Sequence, residues 1–187
     1  MIRRAKTERV AQQQKAVCQA LIQLMERKDF QQISVSEICQ LAGIPRRTAY
    51  YYFDSKEDML KYLLEYVVRE SALDAIWPAN SDKDTMYRGL VQFFRYWRDQ
   101  RRRELEVLLN RGYAVHIIDR AIHWVSEESA WAEHIRQAKG LDVAVSNVAT
   151  TVVFHVLFFW CRAGFTHSDE ETAAYTADLL TKPIYNI

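Results

Sequence analysis

The side chains best equipped for chemistry gather in one stretch, AGIPRRTAYYYFDSKEDML, residues 42–60. It holds Arg46, Arg47, Thr48, three consecutive tyrosines (Tyr50, Tyr51, Tyr52) and Lys56. Neighbouring residues on a helix point in different directions, so three tyrosines in a row cannot all be core. Guanidinium groups and phenols are flat hydrogen-bond donors, suited to reading a polyanion with patterned edges. Arginine can donate two bonds to a guanine edge. Tyrosine offers a ring to thymine methyls and a hydroxyl to phosphate.

On a helical wheel at about 100° per residue, Ala49 and Phe53 fall together and define the buried side. Arg47 and Tyr51 then point away from the core. Arg46 and Tyr50 lie on one flank, Thr48 and Tyr52 on the other. This surface suits a recognition helix in a DNA major groove. Thr48, Tyr52 and Lys56 would hold phosphates. Ser34 and Ser36, at the start of the preceding helix, could add theirs with that helix's free N–H groups.

The elements that must position these residues are legible around them. A first helix is predicted over 8–27, with Val17, Leu21, Leu24 and Met25 as its apolar stripe. SVSE, 34–37, is a capping box opening a short helix in which Ile38 and Leu41 face inward and which Gly43 ends. Pro45 presets the first turn of the next helix. Two short helices joined by a glycine turn make a helix-turn-helix. SKED, 55–58, caps a fourth helix running to about Ala75. WPANSDKD, 77–84, reads as a linker. Five further helices are expected, near 84–100, 104–110, 114–128 (continuing brokenly through His134), 141–162, and from the capping box SDEE at 168–171 to just before Pro183.

The fold class is therefore all-α, about nine helices in all. An N-terminal three-helix DNA-binding domain, residues 1–55, precedes a helical regulatory and dimerisation domain, residues 56–187. Only 5 Gly and 3 Pro interrupt the 187 residues, and 49% are hydrophobic, enough for a core. Residues 1–60 carry ten Lys and Arg against seven Asp and Glu, a surplus of three in a chain whose net charge is +1. No apolar leader follows the charged start, and the longest apolar run, 152–161, is short of the ~20 residues of a membrane span. A soluble, cytoplasmic protein without membrane partner is expected. Cys18, Cys39 and Cys161 have no metal-ligand spacing and read as reduced, buried thiols. No metal, cofactor or catalytic constellation is expected. The sequence contains no nucleophile elbow, phosphate loop or Ser/His/Asp set, so the chain is not read as an enzyme.

The run ISVSEICQLAGIPRRTAYYYFDSKEDML resembles the DNA-binding region of the TetR family of bacterial transcriptional regulators. Ser34, Ile38, Ala42, Gly43, Thr48, Tyr50, Tyr52, Phe53, Ser55, Lys56, Glu57 and Leu60 match that family's pattern. Cys39, Pro45 and Ala49 depart from it, and Pro45 removes a cap hydroxyl. The resemblance implies phosphate contacts from Thr48, Tyr52 and Lys56 and base contacts from Arg46, Arg47, Tyr50 and Tyr51. The basic tail, Arg3, Arg4 and Lys6, would either reach an adjacent groove or serve solubility alone.

The resemblance further implies a C-terminal domain that dimerises and binds a small molecule. Residues 141–162 are apolar almost all round, so the helix must be covered on every side. Together with the last helix, which carries Ala173, Ala177 and Leu180, it would form a four-helix bundle in a homodimer. Such a dimer binds double-stranded DNA at an inverted repeat. Trp97, Tyr113, His116, Trp124, Phe154, His155 and Phe158 are candidates to line a site for an unidentified flat or apolar effector, as is Trp131; all of them also suit an ordinary core. His116 and His123 share a helix face but lack a third metal ligand. The arginines of 95–104 read as a solvated helix end. The expected function is a ligand-responsive repressor; the alternative is an activator or coactivator controlled by a protein partner.

Overall fold

The computed structural model describes residues 8–71, 73, 76, 83–129, 132 and 141–182. The expectations about the basic tail, most of the 77–84 linker, Trp131 and the extension through His134 fall outside them. Among the described residues there are nine α-helices and no strand. They are α1 Glu8–Met25, α2 Val35–Ala42, α3 Arg46–Tyr52, α4 Lys56–Arg69, α5 Lys83–Gln100, α6 Arg102–Asn110, α7 Ala114–Glu127, α8 Leu141–Arg162 and α9 Asp169–Thr181. A 3-10 turn, Phe30–Gln32, lies between α1 and α2. The chain divides into two compact units between Tyr66 and Val67.

In the first unit, α1 packs on α2 and α2 on α3. Val17, Leu21 and Met25 are fully buried, as the apolar period requires. The capping box forms in both directions: Glu37 N–H donates to Ser34 Oγ, and Ser34 N–H donates to the Glu37 carboxylate. Gly43, at φ +66°, ends α2 in the left-handed region, and Ile44 N–H reaches back to Cys39 O at 3.1 Å. Leu41 does not face inward as the sequence suggested. It is 43% exposed because the buried side of this eight-residue helix runs through Ile38 and Cys39. The fourth helix stops at Arg69, six residues before Ala75. Ser71 N–H and Oγ both close on Val68 O, tightening the chain into an i−3 turn that cannot continue the helix.

In the second unit, α5 packs on α6 and α9, and α8 packs on α6, α7 and α9. The capping box at Ser168 forms with Glu171. Asp169, almost wholly buried at the start of α9, accepts from Arg95 Nε and Arg98 Nη1 of α5, both at 2.6 Å. Burial alone would push its carboxyl up. The hydrogen bonds from Arg95, its own backbone amide and Arg98 outweigh that and hold it below the usual carboxylate range. By length and mean hydropathy alone (20 residues, 1.7), Val143–Arg162 could cross a membrane, a stretch that extends beyond the apolar run 152–161. Its Thr150 and Thr151 hydroxyls donate to carbonyls one turn back, whereas the buried Ser146 Oγ has no hydrogen-bond partner among the described residues.

Candidate nucleic-acid interface

α3 is seven residues long and has no side-chain N-cap, because Pro45 occupies the cap position. Its backbone begins with Thr48 and Ala49 N–H groups donating to Pro45 O. Ala49 and Phe53 are fully buried, the side the wheel assigned to the core. Arg46, Arg47, Tyr50 and Tyr51 are exposed, with Tyr50 at 46% and Tyr51 at 62%. The Arg46 guanidinium carbon lies 5.9 Å from the Tyr50 ring centroid. Exposed aromatic rings beside guanidinium groups suit a flat, anionic partner.

The expected phosphate contacts divide. Thr48 is half-buried, and Ser36 is exposed at the first turn of α2. The Ser34 hydroxyl is engaged with Glu37, donating to its carboxylate at 2.9 Å. Lys56 directs its ammonium inward: Nζ donates to Phe30 O, Gln31 O and Ile33 O, each at 3.1 Å, and lies 4.7 Å from the Phe30 ring centroid. Three donors meet three carbonyls, so the cation closes the turn between α1 and α2. Tyr52 is 7% exposed, and its hydroxyl donates to Gln13 Oε1 at 2.7 Å. A second such bond runs from Tyr62 Oη to Gln14 Oε1 at 3.2 Å. Gln13 and Gln14 were not singled out from sequence. The signal was there for Gln14, which stands at i−3 and i−7 from Val17 and Leu21 on the buried stripe.

The electrostatics of the surround are set locally. Lys28 Nζ lies 2.6 Å from Glu37 Oε1. Its hydrogen bond, followed by those from the Ser34 backbone and hydroxyl, holds the Glu37 carboxyl down to about 2. Burial pushes the Cys39 thiol up, and Arg46 only partly offsets it. Burial likewise raises the Cys161 thiol to about 11. These are packed, unreactive thiols.

The candidate effector residues form no single lining in the second unit. Trp97, Phe154 and Phe158 come together: ring centroids are 6.2 Å apart for Trp97–Phe154 and 6.0 Å for Phe154–Phe158. Trp97 is fully buried, yet its Nε1–H has no hydrogen-bond partner among the described residues. Trp124 is buried on α7. Tyr113 and His116 pair with each other at 5.5 Å, and His116 is exposed. His155 is also exposed, its Nδ1 2.9 Å from Thr151 O. Two grooves, of about 510 and 430 Å³, both border Val156, Phe159 and Tyr175 on the outer face of α8 and α9. The arginine-rich end of α5 is neutralised within the unit: Arg95, Arg98, Arg101 and Arg102 each pair with a carboxylate. Among the described residues no three His, Cys, Asp or Glu side chains gather as metal ligands.

The sequence profile of the family described as "Bacterial regulatory proteins, tetR family" matches residues 18–63, from the middle of α1 into α4. The HTH-type transcriptional regulator EthR of Mycobacterium tuberculosis (strain H37Rv) is 41% identical over 76 residues, 38% of this chain and 35% of EthR. The HTH-type dhaKLM operon transcriptional activator DhaS of Lactococcus lactis subsp. lactis (strain IL1403) is 36% identical over 83 residues, 44% of this chain and 42% of DhaS. The chain thus spans about a third to two fifths of the curated relatives it matches. A solved TetR transcriptional regulator from Streptococcus agalactiae 2603V shares the fold at a TM-score of 0.61 and 17% identity, over 93% of this chain and 96% of that one.

Proposed function

We propose, for a chain that belongs to the TetR family of bacterial regulatory proteins, that it is a sequence-specific transcriptional regulator which reads duplex DNA as a homodimer. The observation that carries this is the outer face of α3: Arg46, Arg47, Tyr50 and Tyr51 stand exposed on a helix anchored from behind by Ala49 and Phe53. In this reading residues 1–55 read DNA and residues 56–187 regulate and dimerise. Arg46 and Arg47 meet guanine edges, and the tyrosines cover thymine methyls and sugar. Thr48, Ser36 and the free N–H groups at the start of α2 hold phosphates.

The second copy is proposed to cover the outer face of α8 and α9, where Phe159, Tyr175, Val145 and Val148 are exposed. An apolar surface on two adjacent helices suits a two-fold four-helix contact. Two-fold symmetry would present two α3 helices in opposed orientations and predicts an inverted-repeat operator. Regulation would be repression relieved by a ligand. The buried, unpartnered Trp97 Nε1–H supports an apolar effector carrying one hydrogen-bond acceptor. Effector binding would favour a dimer whose reading helices miss successive grooves, lowering DNA affinity by linkage. The alternative, an activator without small-molecule control, is favoured by the close ring packing of Trp97, Phe154 and Phe158 and by the description of DhaS as an activator.

The deciding experiment is selection of bound sites from random duplex DNA by the purified protein at physiological salt. An inverted repeat supports the dimeric reader. A single half-site argues against the dimer, and no enrichment argues against the DNA-reading surface.

A further inference from the structure

Two hydrogen bonds leave adjacent residues of α1 for the elements that hold the reading surface. Tyr52, the last residue of α3, donates to Gln13, and Tyr62 of α4 donates to Gln14. Between the two phenols stands the Phe53 ring, edge-on to both, with centroids 6.4 Å from Tyr52 and 5.5 Å from Tyr62. Gln14 is fully buried, and the two tyrosines are 7% and 6% exposed. Three rings thus run from α3 to α4, with both phenolic ends tied to neighbouring amides on one turn of α1.

α3 needs such a tie. Seven residues make too short a helix to hold its own axis, and the Pro45 cap contributes no side-chain bond. Ala49, its only fully buried residue, has no side chain long enough to resist rolling. We infer that Gln13 and Gln14, acting through Tyr52 and Tyr62, are positioning residues that set the angle and roll of α3 and so the aim of Arg47 and Tyr51. This deepens the proposed DNA-reading function and rests on it. It also gives Tyr52 a different role from phosphate contact. A phenol carries one proton, and Tyr52 has given it to Gln13; what remains are lone pairs, which a phosphate oxygen repels. Tyr52 could donate to phosphate only by breaking the bond that holds α3.

The test is a double-mutant cycle with Gln13→Leu, Tyr52→Phe and the pair, on the site recovered by selection. Each single change is expected to lower affinity about fivefold, the worth of one neutral hydrogen bond, and the pair to lose no more than either alone. The salt dependence should not change, since no charge is removed. Hydrogen exchange without DNA supplies the second readout: amides of 46–53 should exchange faster in both single variants while those of α5–α9 keep wild-type rates. Tyr62→Phe should show the same pattern more weakly. If Tyr52→Phe weakens binding and Gln13→Leu does not, the hydroxyl meets DNA directly and the inference falls. Additive losses, or unchanged exchange in α3, overturn it as well. Failure of the wild-type protein to select any site would count against the DNA-reading function, while α3 exchange would still decide the clamp.

Discussion

Phe159→Ala is the sharpest test of the dimer. Phe159 is 70% exposed in the isolated chain and sits between the two grooves of the α8–α9 face. A phenylalanine offers roughly 200 Å² of surface, so about 140 Å² of it waits to be covered. At about 25 cal/mol per Å², full coverage is worth about 3.5 kcal/mol per protomer. A two-fold interface counts it twice. Alanine keeps part of the area and coverage is not complete, so about 4 kcal/mol of dimer stability should go, close to a thousandfold in dimer Kd. Sedimentation velocity over a dilution series reads this directly. Because the ring packs on little of its own chain, the variant should keep wild-type helical content and thermal unfolding of the monomer. A variant that dimerises as tightly as wild type would refute the reasoning, as would a wild-type protein that stays monomeric at every concentration.

Arg47→Ala should cost about 1–3 kcal/mol in binding to the selected site and relax preference at one base position, read by competition binding. Lys56→Met should lower the unfolding free energy by about 2 kcal/mol, because three carbonyls lose their donor, yet leave the salt slope of DNA binding unchanged; a flatter slope would put the ammonium on phosphate instead. Glu37, held down to about 2 from an ordinary 4.5, contributes stability that is complete above about pH 4.5 and is lost as pH falls toward 2. Glu37→Gln should therefore flatten acid unfolding in that window, measured by circular dichroism. Asp169→Asn removes the charge that Arg95 and Arg98 share and should cost about 2 kcal/mol, less than a fully buried pair because the arginines are 51% and 31% exposed. Thermal unfolding checks it.

The local parts of this fold were legible because their causes lie within a few residues of each other. Ser34 with Glu37, and Ser168 with Glu171, form the capping boxes their spacing announces. Gly43 takes the left-handed conformation its place after α2 requires. α8 covers Leu141–Arg162, the span its apolar content indicated. The back of α3 also follows from periodicity, since Ala49 and Phe53 had to share a side.

What the chain alone determined, then, is the order of helices, their caps and the presence of an arginine–tyrosine face, all set by contacts between near neighbours. Tertiary structure decided which of those residues remain available. Tyr52 turned inward because a glutamine 39 positions earlier offers an acceptor, and Lys56 because carbonyls 23 to 26 positions earlier lie within reach. Leu41 turned outward because the buried side of α2 runs through Ile38 and Cys39. Trp97 of α5 met Phe154 of α8 because those two helices bring one face of each together; Phe158 lies against Phe154, while His155 on α8 and His116 on α7 stand exposed. A side chain's options are written in its own type, but its choice among them depends on partners that only the packed chain brings close.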